Sequence, residues 1–327
     1  MPSPDQKLPD GTPIAADADG TPIAFPALGF TLQLEPPTKD DEPAWEQAMG
    51  ELTGWLGPML SWTSTSAYAP PRKYRPGDLD YIASYPSMLA APPGFGDPEA
   101  DDAAAGLHAV SRDDYAVLCH GGARSNDASA YGVRFFAELA TVEAGAPLSP
   151  CCALRATVPL GYPIADLRAR VLSLAKQLRV RWGVAGLTYA AWEPDAWPEL
   201  RAAAFAHARR HPGFDIAELS AFLPEWHESV RTVGWLTILG PSMRERLGGL
   251  PPFREVVVEE IGPLLVAQAG REPQPGDVNR LQIPTALAEI DSWIAPLRPH
   301  VELHFGEPWT ETTTHDWLTR FERRSLG

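Results

Sequence analysis

Hydrophobic and polar positions follow clear periods in several parts of the chain. Apolar and polar residues alternate from Leu28 to Leu34, the pattern of a half-buried strand. From Ile164 to Leu178 apolar residues recur every three or four positions, which predicts an amphipathic helix. An earlier helix is predicted after Asp40, because acidic residues and Pro43 mark its start and Gly57-Pro58 marks its end.

The same patterns predict the remaining elements. Strands are predicted near residues 115–118, 131–139, 152–158, 184–192 and 230–239, a hairpin over 256–269, and helices over 198–209, 242–247, 287–297 and around 317–321. Gly248-Gly249 is expected to end the short helix before it. A strand, a helix and several further strands occur twice in this order. The sequence therefore favours an α+β fold of antiparallel β-sheets covered by helices on one face, with two similar α+β halves as an alternative.

The N-terminal residues contain a short repeat. Asp10-Gly-Thr-Pro-Ile-Ala15 recurs as Asp19-Gly-Thr-Pro-Ile-Ala24, and this composition favours turns and extended backbone. Residues 1–26 are predicted to form a tail and residues 27–327 one α+β domain, with a division near 125–150 into two subdomains left open. No run of about 18 apolar residues and no leader pattern occurs, and three cysteines suit a reducing compartment. A cytoplasmic location is expected.

The charge of the chain indicates which kinds of partner it can bind. The net charge is −15, and most of it falls within residues 1–115. Such a surface repels phosphate groups, which disfavours nucleic acid and membrane surfaces as partners, and it attracts basic proteins. The acidic segments serve either as solvated loops that keep the protein soluble or as a docking face for a cationic partner.

Candidate catalytic residues are few and lack their usual companions. The chain has no phosphate-binding glycine loop and no Gly-x-Ser-x-Gly turn. Cys119 and His120 could form a nucleophile and base, but neighbours on a strand point to opposite faces, which favours a buried thiol and a surface histidine. Cys151-Cys152 is interpreted in the same way, with one thiol in the core. Ser173 and Lys176 form a Ser-x-x-Lys pattern without its partner motifs.

Two histidine groups have spacings that could bind a metal. His207 and His211 are one helical turn apart, and His300, Glu302 and His304 would share one face of a strand. The first pair has no evident third ligand, and histidines near a helix C-terminus also complement the helix dipole. The residues thus assign no catalytic group, metal or cofactor, although a hydrolase using Cys119 or a histidine-based metal enzyme stays open as the alternative.

The order of several short motifs carries a resemblance to a known family. The most specific pieces are Pro212-Gly-Phe-Asp215, then Gly234-Trp-Leu-Thr237 with Leu247-Gly-Gly249, and then Pro275-Gly-Asp277. Together with Tyr131-Gly-Val-Arg-Phe-Phe-Ala-Glu138, this order resembles the type VI secretion immunity protein family. The resemblance implies a non-enzymatic protein that binds and neutralises a cognate effector toxin, with a nuclease as the first expectation and the adjacent gene as its source. Gly234, Trp235, Gly248 and Gly249 match motif positions and are interpreted as structural.

An immunity role predicts tight one-to-one binding through an acidic surface with aromatic anchors. Homodimerisation of the free protein and an adaptor role in the secretion apparatus stay open. Trp192 and Trp197 are further candidate anchors. The predicted partner-contact residues are Asp40, Asp41, Glu42, Asp101, Asp102, Glu193, Asp195, Asp215, Glu218, Glu225, Trp226 and Glu228.

Overall fold

One antiparallel sheet organises the protein. The computed structural model describes residues 12–16, 19–65, 70–90, 115–138, 151–191, 197–216, 229–298 and 305–321. Within these residues the sheet has eleven strands, in the spatial order β10-β11-β9-β8-β2-β7-β6-β5-β3-β4, with β1 paired to β2. The strands are β1 (Ala15–Ala16), β2 (Pro22–Leu34), β3 (Trp62–Ser64), β4 (Arg72–Lys73), β5 (Tyr115–His120), β6 (Gly132–Glu138), β7 (Cys151–Val158), β8 (Val180–Ala191), β9 (Leu236–Leu239), β10 (Val256–Ile261) and β11 (Leu264–Ala269).

Eight α-helices connect and cover these strands in the described part of the chain. They are α1 (Glu42–Leu56), α2 (Asp80–Ala83), α3 (Tyr85–Ala90), α4 (Ile164–Gln177), α5 (Trp197–Arg210), α6 (Pro241–Arg246), α7 (Thr285–Ile294) and α8 (Glu311–Leu318). Short 3-10 turns add Lys39–Asp41, Gly57–Met59, Pro76–Asp78, Val278–Arg280 and Ala295–Leu297. The α+β class and the antiparallel pairing predicted from the sequence are confirmed.

Strand β2 lies at the centre of the sheet and joins its two sides. Leu28 pairs with Val158 of β7 on one side and with Leu187 of β8 on the other. The sequence favoured more than one sheet, whereas this strand makes the sheet continuous across both parts of the chain. The division near residues 125–150 into subdomains stays a prediction.

The sheet begins inside the segment predicted to be a tail. Ala15 of β1 pairs with Ala24 of β2, so the last residues of the two copies of the N-terminal repeat are antiparallel strand partners. Residues 24–26 of β2 also pair with β8. Pairing with β7 starts only at Leu28, so Pro26 has a strand partner on one side only, and proline is found at such edge positions of a sheet.

Helices pack on both faces of the sheet and not on one alone. The core on one face contains the apolar stripes of α1 and α4, and the core on the other face contains those of α6 and α7. The reason lies in β8, because Trp182 and Val184 face one core while Ala185 and Leu187 face the other. A strand that is apolar on both faces needs cover on both.

The predicted strand over residues 230–239 is the clearest local error. Only Leu236–Leu239 is a strand, although residues 230–235 are also buried. Gly234 sits so close to β8 that a Cβ atom would lie 2.8 Å from the Ala185 carbonyl oxygen, which agrees with its predicted structural role. The expected helix stop at Gly248-Gly249 is wrong, because α6 ends at Arg246 with Leu247 in extended backbone.

Candidate functional site

The acidic stretch predicted to meet a partner lies at the start of α1, where its three carboxylates differ in their surroundings. Asp41 accepts hydrogen bonds from Thr38 N (2.7 Å) and Thr38 Oγ1 (2.9 Å), and it pairs with Arg179 at 3.3 Å. Partial burial acts to raise the pKa of Asp41, but the Thr38 bonds and the Arg179 charge hold it below its usual value. Glu42 accepts a bond from Ser87 Oγ at 2.7 Å. Asp40 is exposed.

Asp215 has a structural position in place of the expected surface one. Its carboxylate is buried, and both of its oxygens accept bonds from Nη2 of Arg231 at 2.7 Å. The backbone carbonyl of Asp215 also accepts a bond from Thr188. Trp192 lies outside the described residues, and the side chain of Trp197 is not described. The remaining predicted contact residues also lie outside the described residues: Asp101, Asp102, Glu193, Asp195, Glu218, Glu225, Trp226 and Glu228.

Cys119 and His120 do not form a catalytic pair. Cys119 is in the core, its Sγ lies 3.3 Å from Thr63 Oγ1, and burial raises the pKa of the thiol to about 12. The predicted surface position of His120 is wrong, because this side chain is also buried. Burial, followed by the charge of Arg134, lowers the pKa of His120 to about 4. The two side chains point to opposite faces of β5, as predicted. A protonated, buried thiol is a poor nucleophile.

Two other candidate groups are engaged in internal contacts. Ser173 Oγ donates to Glu51 at 2.7 Å, while Lys176 is exposed, so the Ser-x-x-Lys pattern brings a carboxylate to the serine. Cys152 is buried, as expected for one thiol of the vicinal pair, and the side chain of Cys151 is not described.

The two histidines on α5 and after it are joined to backbone and side-chain partners. His207 Nδ1 lies 2.9 Å from the Tyr189 hydroxyl, and His211 Nδ1 lies 2.7 Å from the Gly276 carbonyl oxygen. Burial, then the charges of His211 and Arg210, lower the pKa of His207 to about 4. In the residues that the structure describes, no cluster of three or more metal-ligating side chains occurs. His300, Glu302 and His304 are not among those residues.

A pH dependence of stability follows from His207. An unfolded histidine binds a proton below about pH 6.5, whereas the folded His207 does so only near pH 4. The unfolded state therefore binds more protons between these values, and the stability lost as pH falls through this window is restored as pH rises. We expect the free energy of unfolding of His207→Asn to fall less than that of wild type between about pH 6.5 and pH 4, as measured by urea unfolding. His315→Asn, at an exposed position, is the control. Equal pH slopes for wild type and His207→Asn would contradict this assignment.

Two segments that carry the family resemblance pack against each other. The amide of Gly213 donates to the carbonyl of Pro275 at 2.9 Å. A Cβ atom on Gly213 would lie only 1.9 Å from the Gln274 carbonyl oxygen. Gly276 has φ +66°, a conformation that favours glycine. These glycines therefore allow two backbone segments about 60 residues apart to touch. This contact explains why the motifs Pro212-Gly-Phe-Asp215 and Pro275-Gly-Asp277 occur together.

Sequence reasoning missed the arginines around this junction. Arg231 pairs with Asp215, and Arg320 donates from Nε to the Pro212 carbonyl at 2.7 Å. Burial lowers the pKa of Arg320 to about 9. A signal was present, because Arg231 interrupts an otherwise apolar stretch, and a charged residue in such a stretch needs a buried partner.

Fold, site and comparisons together define the protein. In the described residues, the candidate nucleophiles and histidines of the α+β fold are held in internal contacts. None of the described helices is long and apolar enough to cross a membrane. The family described as type VI immunity for VRR-NUC matches residues 94–321, and the chain belongs to this family. It is thus a type VI immunity protein of the group directed against VRR-NUC nuclease effectors.

A solved structure agrees with the fold. The Pseudomonas aeruginosa T6SS protein PA0821 is similar with a TM-score of 0.71 and 20% sequence identity, over 96% of this chain and 88% of that chain. At this identity the likeness concerns the fold. Among curated proteins, none matches the sequence significantly.

Proposed function

We propose that this protein neutralises one cognate VRR-NUC effector by direct binding, without catalysis, and that it covers the surface through which the effector holds nucleic acid. The family match carries the proposal, since the family is described as immunity for VRR-NUC. We place the effector gene beside the gene for this chain. We place protection in the cytoplasm, because the DNA that a nuclease would cut is found there.

The net charge of −15 supports an occluding mode of binding. A nuclease attracts the phosphate backbone with basic side chains, and an acidic protein is complementary to the same surface. Opposite charges accelerate association and orient the two proteins before short-range contacts form. The protein would then compete with nucleic acid for one set of basic residues.

The alternative, a hydrolase or a metal enzyme, has less support from the described geometry. A thiol hydrolase needs an accessible thiolate, whereas Cys119 is buried with a pKa raised to about 12. A metal enzyme at His207 and His211 would need further ligands, and no cluster of three or more ligating side chains occurs in the residues that the structure describes.

Rescue from toxicity tests the proposal. We expect the chain to co-purify with the effector encoded by the adjacent gene and to restore growth of cells that express this effector. Cys119→Ala and His207→Asn variants that fold should protect as well as wild type. Absence of both a complex and rescue would overturn the proposal, and loss of rescue in a folded Cys119→Ala variant would favour the hydrolase.

The acidic N-terminal third gives a prediction about association. Asp40 is the best test residue of its group because Asp41 and Glu42 also make internal bonds. We expect the combined Asp40→Asn, Asp101→Asn and Asp102→Asn variant to associate with the effector roughly tenfold more slowly at low salt, with a shallower salt dependence. Stopped-flow measurements over a range of salt concentrations check this.

The matched control removes three exposed acidic residues from later parts of the chain. Replacing Glu272, Glu307 and Glu311 by Gln changes the net charge by the same amount. Equal slowing in both triple variants would mean that net charge alone governs association. No slowing in the Asp40, Asp101 and Asp102 variant would mean that these acidic residues serve solubility and not docking.

A further inference from the structure

The two edges of the sheet are built differently. Strand β4 ends the sheet with two residues, Arg72 and Lys73. Arg72 pairs with Asp78 at 2.7 Å, and the Lys73 ammonium group lies 3.7 Å from the centroid of the Trp62 ring. A short, charged edge of this kind resists pairing with another chain.

Strand β10 forms the opposite edge and is three times as long. It has six residues, Val256–Ile261, and each pairs with β11 on one side only. In the described parts of the chain the sheet ends there, and no other strand lies along the outer side of β10. An edge strand of this length presents a row of backbone N–H and C=O groups to which an extended segment can bind.

The side chains of β10 combine an exposed apolar group with acidic ones. Val257 is 55% exposed. Glu259 pairs with Arg168 of α4 at 2.8 Å, and Glu260 pairs with Arg244 of α6 at 2.6 Å. The two glutamates therefore lie on opposite faces of the strand, and their carboxylates stay 46% and 62% exposed. Each face of this edge carries an accessible carboxylate.

We propose that β10 is a docking edge to which an extended segment of the effector adds as a further strand. This inference rests on the proposed function and names the kind of contact that serves it. Backbone hydrogen bonds along β10 hold the segment. An aliphatic side chain of the effector covers Val257, and Lys or Arg side chains on its two faces approach Glu259 and Glu260.

The charge of the protein selects this occupant over a second copy of the chain. Two copies would each bring a net charge of −15 to the contact, and this repulsion opposes pairing. A segment from a nucleic-acid-binding partner brings basic residues to the two glutamates instead. Covering the exposed side chain of Val257 with an apolar group removes apolar surface from water, which favours binding.

The test places a lysine on the edge. Val257→Lys adds a positive charge against the basic segment, and the half-exposed position should allow normal folding. The probe is the purified effector from the adjacent gene, inactivated at its catalytic site. We expect Val257→Lys to weaken its binding roughly 30-fold or more with an unchanged melting temperature.

Leu281→Lys is the control, because Leu281 is an aliphatic residue, 88% exposed directly after the 3-10 turn Val278–Arg280, and its replacement changes the charge by the same amount. Equal weakening by both variants would show a general charge effect and overturn the edge proposal. Hydrogen exchange gives a second measurement. We expect amides within residues 256–261 to become protected in the complex, and unchanged exchange there would overturn the proposal even if Val257→Lys failed to fold.

The remaining outcomes separate this inference from the proposed function. If wild type binds the effector and Val257→Lys binds equally well, the edge proposal fails and the immunity mechanism stands. If wild type does not bind the effector, the proposed function itself fails. If sedimentation shows that the free protein dimerises and that Val257→Lys abolishes the dimer, the occupant is a second copy, and the proposal is wrong.

Discussion

Replacing Asp215 by Asn is expected to lower the free energy of unfolding by about 3–5 kcal/mol. The carboxylate of Asp215 accepts two 2.7 Å bonds from Arg231, whose side chain is 1% exposed. An amide keeps the shape of the carboxylate but removes its charge, which leaves the buried guanidinium without this counter-charge. The loss reflects an uncompensated buried cation more than the value of the pair itself.

Urea unfolding of matched variants checks this expectation. Asp127→Asn removes the carboxylate of a more exposed pair with Arg124 and is expected to cost about 1 kcal/mol or less. The double variant Asp215→Asn with Arg231→Met removes both charges and should recover part of the stability. A loss below about 1 kcal/mol for Asp215→Asn would contradict a structural role for this ion pair.

Gly213→Ala is expected to cost about 3 kcal/mol. A Cβ atom at this position would lie 1.9 Å from the Gln274 carbonyl oxygen and 3.0 Å from its carbonyl carbon. Backbone atoms cannot rotate away as a flexible side chain can. Separating the two segments would stretch the 2.9 Å hydrogen bond from Gly213 to the Pro275 carbonyl.

Gly248→Ala provides the control for Gly213→Ala, because no atom lies within 4 Å of the position that its Cβ would take. We expect a change within about 0.5 kcal/mol for the control, measured by the same urea titration. A similar small effect for Gly213→Ala would mean that the two motif segments separate without cost. Their contact would then not explain the motif spacing.

Elements with a strong period could be predicted from the sequence. The apolar stripe of α4 predicts a helix whose ends lie within two residues of the observed ones. The predicted hairpin over residues 256–269 agrees with the observed strands β10 and β11. Residues 230–235 were assigned to a strand because apolar composition alone does not distinguish paired from unpaired backbone. Their burial comes from packing between segments that are distant in sequence.

The candidate site was less accessible to sequence reasoning. The burial of Cys119 could be predicted, because the alternation of side chains between the two faces of a strand depends on that strand alone. The sequence predicts Asp215 in an acidic rim around aromatic anchors, whereas its buried partner Arg231 lies 16 positions away and only the fold brings the two together. An edge strand is likewise defined by its absent neighbour, which no local pattern encodes.

The central position of β2 has a consequence for synthesis. This strand is synthesised more than 100 residues before its two principal neighbours, β7 and β8, which lie within residues 151–191. At about 5–20 residues per second, the backbone of β2 that pairs with β7 and β8 waits for these partners for roughly six seconds or longer. Folding must therefore wait for the middle of the chain, and protection of the producing cell lags behind translation by the time needed to complete this sheet.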